Sequence, residues 1–481
     1  MNAFGGRVVS HANNTRGALN AKRSMWCVAL ALLLAAPGAQ ALDLMDAWHA
    51  ALEHDPAYAT ARAAHTAAAT QQRQADALWR PTVALQAGAG IANAESAMRG
   101  AHFDAPGVGS TGGVAFDTSI RGGTSASAGI ELRQPLFNRE RDAQAEQMRL
   151  GVQQAELEWA DAQAELMLRT AQTYFDLALA GEQLRLIERQ LKAVTRARAE
   201  AKDRFKLGDR PITDVHEATA RAEGLRAQQL AAQAQLELRR AALTNLTGLP
   251  PADATRLALP VALPDAADVG ELSHWLNRVD EQATMVQAAQ LRVRGAGQEA
   301  RKTELALSPA VDLVARAGRD TLSGGGAYGR ASNRQSQAMV GVLLTMPLYA
   351  GGGRSARHDE SVARIAQAQA GLDDARQQAA QQARAAWLGV SVGRAQVDAL
   401  AAAARASAAR LDATRTGREA GERTTLDLLN AENDHAAAQL ALAQARVQVQ
   451  LDGLRLARLA GALDEPRLQL LQQALKAGPA P

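Results

Sequence analysis

Two hydrophobic periodicities alternate along this chain. Residues 140–207 contain no proline and only two glycines, and Ile187, Leu191, Val194, Ala201 and Phe205 fall on a four-and-three spacing that only Arg198 interrupts. That pattern predicts a long helix with a coiled-coil seam and one polar seam position. Residues 354–420 repeat it in an alanine-rich version, with Val397, Leu400, Ala404 and Leu411 on one stripe. Each long arm meets a glycine-containing break and then a return arm of about half the length, residues 213–247 and 424–460. Two further helical stretches, 42–79 and 271–305, have the missing length. A return arm stacked on one of these gives ~70 residues, matching the long arm at ~105 Å. The expectation is a helical cylinder rather than a globule.

The other period is two. Residues 82–92 pair with 125–135, and 310–319 with 337–347, each near the ~9–11 residues of a tilted membrane strand. Ile130, Leu132 and Gln134 alternate with Glu131 and Arg133, and Val340, Val342, Leu344 and Met346 alternate with Gly341, Leu343 and Thr345. The Gly-, Ser- and Ala-rich segments 93–124 and 320–334 are expected to be mobile loops. Trp79, Phe137 and Tyr349 stand where strand meets helix, either as an interfacial aromatic girdle or as junction packing. Four strands cannot close a barrel, and an open sheet edge is intolerable in lipid, so membrane strands here require several copies.

Self-comparison shows that the chain is a duplication. Gly208-Asp209-Arg210, Asp214 and Ala218 recur as Gly421-Glu422-Arg423, Asp427 and Ala431 at a constant offset of 213, which also pairs Tyr174 with Trp387 and Gly248 with Gly461. The expected organisation is a signal peptide at 1–41, repeat one at 42–249, a proline-rich linker at 250–270, repeat two at 271–463 and a C-terminal tail at 464–481.

Charge and composition change the picture in one place. Arg7, Arg16, Lys22 and Arg23 precede an apolar run from Trp26 to Ala36 and the small-residue site Ala39-Gln40-Ala41, which reads as a secretory signal. Without it the 53 basic and 50 acidic residues become 49 against 50, so the basic balance does not point to nucleic acid. Cys27, the only cysteine, lies in that signal. His49 and His54 sit on different helix faces, and Gly351-Gly352-Gly353-Arg354 lacks the Lys-Ser/Thr of a phosphate loop. With no nucleophile elbow or poised carboxylate pair, the chain reads as a non-enzyme with no cofactor, no metal and no nucleic-acid partner.

Several motifs resemble the TolC family of outer-membrane efflux and secretion ducts: Leu136-Phe137 and Leu348-Tyr349 at the strand exits, Tyr174-Phe175-Asp176-Leu177, Phe205-Lys206-Leu207-Gly208 with Ile212-Thr213-Asp214-Val215, and the run from Gly421 to Ala431. The resemblance spans residues 42–463, and the tips are most similar to the branch serving type I secretion. It implies an α+β membrane protein of the cell outer membrane: a homotrimeric, twelve-stranded outer-membrane β-barrel with four strands per chain, continued by a long periplasmic α-helical coiled-coil barrel. It also implies a periplasmic adaptor protein and an inner-membrane ABC transporter or other pump as partners, outer-membrane lipid around the barrel, and export of a protein such as a toxin or protease.

The hairpin tips are the candidate gate. Thr424 with Asp427 makes a T-x-x-D capping box, Asp214 suits a helix first turn, and Gly208 and Gly421 end helices. By similarity to the family, Asp427 and Asn430 face the constriction, Asp214 bonds to Arg423 with Thr213 contributing, and Arg418 stands where a tyrosine usually joins that latch. Rings of acidic residues set charge selectivity in pores. The alternatives are a drug or small-molecule efflux duct, a periplasmic adaptor with one coiled-coil hairpin, and a structural coiled-coil protein.

Overall fold

The computed structural model describes residues 42–476 apart from 108, 210, 251–256, 262, 264–269, 327–328 and 350. The signal, much of the linker and residues 477–481 of the tail lie outside the described residues.

Repeat one runs α1 (Leu44–His54), α2 (Pro56–Ala77), β1 (Thr82–Ala105), β2 (Gly109–Phe137), α3 (Arg139–Lys206) and α4 (Ile212–Thr247). Repeat two follows the same order with α5 (Leu272–Gln282), α6 (Thr284–Leu305), β3 (Ala310–Gly326), β4 (Gly329–Thr345), α7 (Gly353–Glu419) and α8 (Thr425–Leu459), and ends in α9 (Glu465–Lys476). Asp55 separates α1 from α2 because its carboxylate accepts the Tyr58 N–H at 2.7 Å while Pro56 opens the new helix.

The helices stack as the length matching requires. Ala51 of α1, Tyr58 of α2, Leu166 of α3 and Leu246 of α4 share one buried cluster, so α4 meets α1 and α2 end to end along α3. Trp275 and Val279 of α5, Val286 of α6, Ala383 of α7 and Leu456 of α8 form its counterpart. Gly248 and Gly461 terminate α4 and α8 with φ of 68° and 63°. A Cβ on Gly248 would lie 2.6 Å from His54 Nδ1, and one on Gly461 3.3 Å from the Gln282 carbonyl, each residue at the end of the facing helix. Only glycine combines that backbone with that approach.

The linker is tied to the paired aromatics midway and at its C-terminal end. The Ala258 N–H donates to the Tyr174 hydroxyl at 3.1 Å, and Trp387 Nε1 donates to the Gly270 carbonyl at 3.2 Å. Arg458 of α8 pairs with Asp161 of α3 at 3.0 Å and also with Glu165, joining the repeats midway.

In two places the structure differs from the sequence expectation. The strands continue far past residues 92, 319 and their partners: β1 and β2 stay paired from Thr82↔Arg133 to Ala105↔Gly109, and β3 and β4 from Ala310↔Thr345 to Gly326↔Gly329. Gly, Ser and Ala carry little strand propensity, but main-chain hydrogen bonds sustain the ladders without it, and β2 stays paired with β3 as far as Ile120↔Gly326. The C-terminal tail contains α9, whose Leu468, Leu471 and Leu475 join the main core while Gln472 Oε1 accepts the Leu44 N–H at 2.9 Å.

Candidate gate and membrane-facing surface

The four strands form one antiparallel sheet in the order β1-β2-β3-β4, leaving β1 and β4 as edges. Its register aligns Val83 with Leu132, Leu85 with Ile130, Val311 with Leu344 and Leu313 with Val342. Those residues and Val340 therefore share one face, on which Leu85 is 75% and Val340 76% exposed. A belt of large aliphatics without a protein partner is the surface a lipid-facing strand presents. The opposite face carries charge: Arg133 Nε donates to Asp312 at 2.9 Å, and Arg316 pairs with Glu131 at 3.0 Å. Asp312 is 1% exposed, and the Arg133 guanidinium is its partner.

Aromatics flank the sheet where it joins the helices. Trp79 is half-buried and its carbonyl accepts Gln134 Nε2 at 2.9 Å. Phe137 is exposed at the end of β2, and Tyr349, 88% exposed, follows β4. No helix among the described residues is long and apolar enough to cross a membrane.

The hairpin tips lie at the far end of α3, α4, α7 and α8. Gly208 and Gly421 adopt left-handed φ of 75° and 81° and close both long arms. The Asp209 N–H returns to the Arg204 carbonyl at 2.9 Å and the Glu422 N–H to the Gly417 carbonyl at 2.8 Å, which satisfies the last helical carbonyls. Ahead of α8 the capping box is reciprocal: the Asp427 N–H donates to Thr424 Oγ1 at 3.1 Å and the Thr424 N–H to Asp427 Oδ2 at 3.0 Å. The Thr424 amide and hydroxyl, then the charges of Arg423 and Arg410, hold the Asp427 carboxyl below the usual carboxylate range.

Between the hairpins lies a cavity of about 170 Å³ lined by Glu200, Arg204, Asp214, Arg221, Thr424 and Leu429, among others. Asp214 is half-buried at its edge and Thr213 is exposed. Within the chain no ion pair joins Asp214 to Arg423; the Arg423 stem instead packs on Gly417, where an added Cβ would lie 2.9 Å from Arg423 Cγ. Arg418 of α7 reaches Glu200 of α3 at 3.0 Å, and Glu200's other oxygen takes Arg204 at 2.9 Å. Asn430 turns toward the other hairpin, its Oδ1 accepting Arg221 Nη1 at 2.8 Å. Glu432, half-buried below the tip, has its carboxyl pushed up by burial against the opposing pull of Arg415 and Arg418.

The sequence reading thus located both tips and the capping box but missed Glu200, Arg221 and Leu429. Glu200 and Arg418 are 218 residues apart, and while Arg418 stands at a position the sequence reading singles out, Glu200 belongs to no motif. Among the described residues no group of three or more His, Cys, Asp or Glu could hold a metal ion.

Comparison with known proteins agrees with this architecture. The family model described as "Outer membrane efflux protein" matches residues 47–249 and 275–462, one segment for each repeat. The outer membrane protein TolC of Vibrio cholerae is 27% identical over 375 residues, covering 75% of this chain and 82% of that protein. The proteases secretion protein PrtF of Dickeya chrysanthemi is 26% identical over 460 residues, 95% of this chain and 96% of its own. Among solved structures, the outer membrane protein VceC of Vibrio cholerae aligns with a TM-score of 0.68 at 20% identity, over 88% of this chain and 97% of that one.

Proposed function

This chain belongs to the outer membrane efflux protein family, and from that premise we propose that it is the outer-membrane duct of a type I secretion system, working as a homotrimer. The observation that carries the reading is the single sheet with an aliphatic face, a charged face and two free edges, mounted on helical rods. Lipid supplies no hydrogen bonds to free strand edges, so they must pair with other copies. Three copies close a barrel of about twelve strands, within the size range of such barrels. Rods of 68 and 67 residues extend ~100 Å into the periplasm. There the tips meet an adaptor protein and an inner-membrane ABC transporter. Trp79, Phe137 and Tyr349 sit at the periplasmic interface of the outer membrane in this reading.

Export of a protein rather than a small molecule is supported by the likeness to PrtF along nearly the whole chain. At the tips, threefold repetition turns Asp427 into a ring of carboxylates, and Thr213, Asp214 and Arg423 meet residues of neighbouring copies. A duct of this kind holds no substrate pocket and performs no chemistry.

Three measurements test the proposal. The protein should leave the outer-membrane fraction only with detergent, as a trimer, and deleting its gene should stop export of a protein substrate. Loss of small-molecule tolerance with protein export intact would move the assignment to drug efflux. In planar bilayers, Asp214→Ala with Arg423→Ser should raise conductance; an unchanged value would remove these residues from the gate.

A further inference from the structure

A cleft of about 570 Å³ lies between α5, α7, α8 and α9, away from both the hairpin tips and the sheet. Its walls are apolar: Trp275, Val390, Val449, Leu454 and Leu471 are each at most 7% exposed. The charged groups around it are of one sign. Arg278, Arg394 and Arg467 line it, and no carboxylate among the described residues does. Arg278 Nε donates to Gln282 Oε1 at 3.1 Å, a neutral neighbour that leaves its charge uncompensated. Gln450, 9% exposed, also lines the cleft, and its Nε2 is buried with no hydrogen-bond partner among the described residues. A buried amide donor without an acceptor is strongly unfavourable, so folded proteins keep few of them.

We propose that this cleft binds an organic anion with an apolar body, a carboxylate or sulfonate carried on a ring system or a short hydrocarbon chain. Gln450 Nε2 donates to an oxygen of the anionic group, the guanidiniums balance its charge, and the apolar body covers Trp275, Leu454 and Leu471. Simpler occupants leave part of the site unsatisfied. An inorganic anion leaves the apolar walls wet, and an uncharged apolar molecule leaves the amide unpaired among like charges. The volume falls in the ~300–1,000 Å³ range of small-molecule sites, which pair mostly apolar walls with a few placed polar groups. Arg467 and Leu471 stand one turn apart on α9, so the ligand bridges α9 to α5 and to the α7–α8 hairpin. Every group named belongs to a single chain, and the inference does not rest on the duct reading.

The test uses the detergent-solubilised protein in the oligomeric state in which it is extracted, with naphthalene-2-sulfonate as the probe and empty micelles as the blank. Calorimetry should find one site per chain, and saturating probe should raise the melting temperature. Sodium sulfate, which carries only the charge, and 2-naphthol, which carries only the rings, should each bind about tenfold more weakly or worse. Gln450→Leu should weaken probe binding about tenfold or more, the worth of one hydrogen bond to a charged group, and without probe should melt no lower than the parent. Arg467→Gln should also weaken binding, and Arg467→Lys should restore part of it. Sulfate bound as tightly as the probe would overturn the proposal, as would probe binding that neither Gln450→Leu nor Arg467→Gln changes. Absence of binding to the folded protein would overturn it too, and would assign the cleft to water or to a neighbouring copy.

Discussion

Adjacent residues of β4 should respond to the same substitution in opposite ways. Val342 shares the aliphatic face with Leu313, while Leu343, one residue on, lies across from Asp312 on the charged face. Arginine in place of a lipid-facing residue near the bilayer midplane costs ~2–4 kcal/mol. In the proposed trimer the cost is incurred three times, ~6–12 kcal/mol, comparable with the whole ~5–15 kcal/mol that holds a typical protein folded. Val342→Arg should therefore shift the urea midpoint of the protein refolded in phospholipid vesicles sharply downward, or prevent insertion. In the proposed barrel Leu343, 43% exposed, faces the interior across from Asp312, so Leu343→Arg should stay within ~1 kcal/mol of the parent. The readout is intrinsic tryptophan fluorescence against urea in vesicles. Equal losses for the two variants, or a larger loss for Leu343→Arg, would refute both the face assignment and the register from which it is derived.

Two further outcomes follow from the tips and the helix junctions. Asp427→Ala should abolish pore block by multivalent cations; in the parent, block should persist into acid and disappear only as pH falls through the lowered Asp427 pKa, and Thr424→Ala, which removes the hydroxyl acting on it, should move that loss to higher pH. Gly248→Ala imposes a left-handed φ on a side chain and drives a Cβ against the His54 ring, so it should lower the melting temperature by the equivalent of ~1–2 kcal/mol or more. Gly295→Ala, inside α6 with nothing within 4 Å, should raise it by ~0.5–1 kcal/mol.

Helices and their stacking were legible because the information is local. The four-and-three spacing on residues 187–205, the tip glycines and the Thr424–Asp427 box each lie within a few turns of chain, where backbone geometry alone decides the outcome. Matching lengths then left one economical way to cover a 68-residue helix with a 36-residue partner. The strand ends were not legible, since Gly- and Ser-rich ladders lack the alternation by which strands are recognised. The helix at Glu465–Lys476 is not legible for another reason: what holds it is the distant N-terminal segment, through Leu44 and the Lys476–Asp43 pair at 3.0 Å.

By itself the sequence determined the duplication, the long rods and the two faces of the strands; the strand count adds the expectation of several copies if those strands span a membrane. Which side chains join the two hairpins was decided only by the tertiary structure. A seam position is set by its place in the helical repeat, but the partner of Arg418 depends on how one hairpin is rotated and shifted against the other. That rotation follows from the packing of Leu429 and its neighbours, residues more than 200 positions apart in the chain, and no local pattern encodes it.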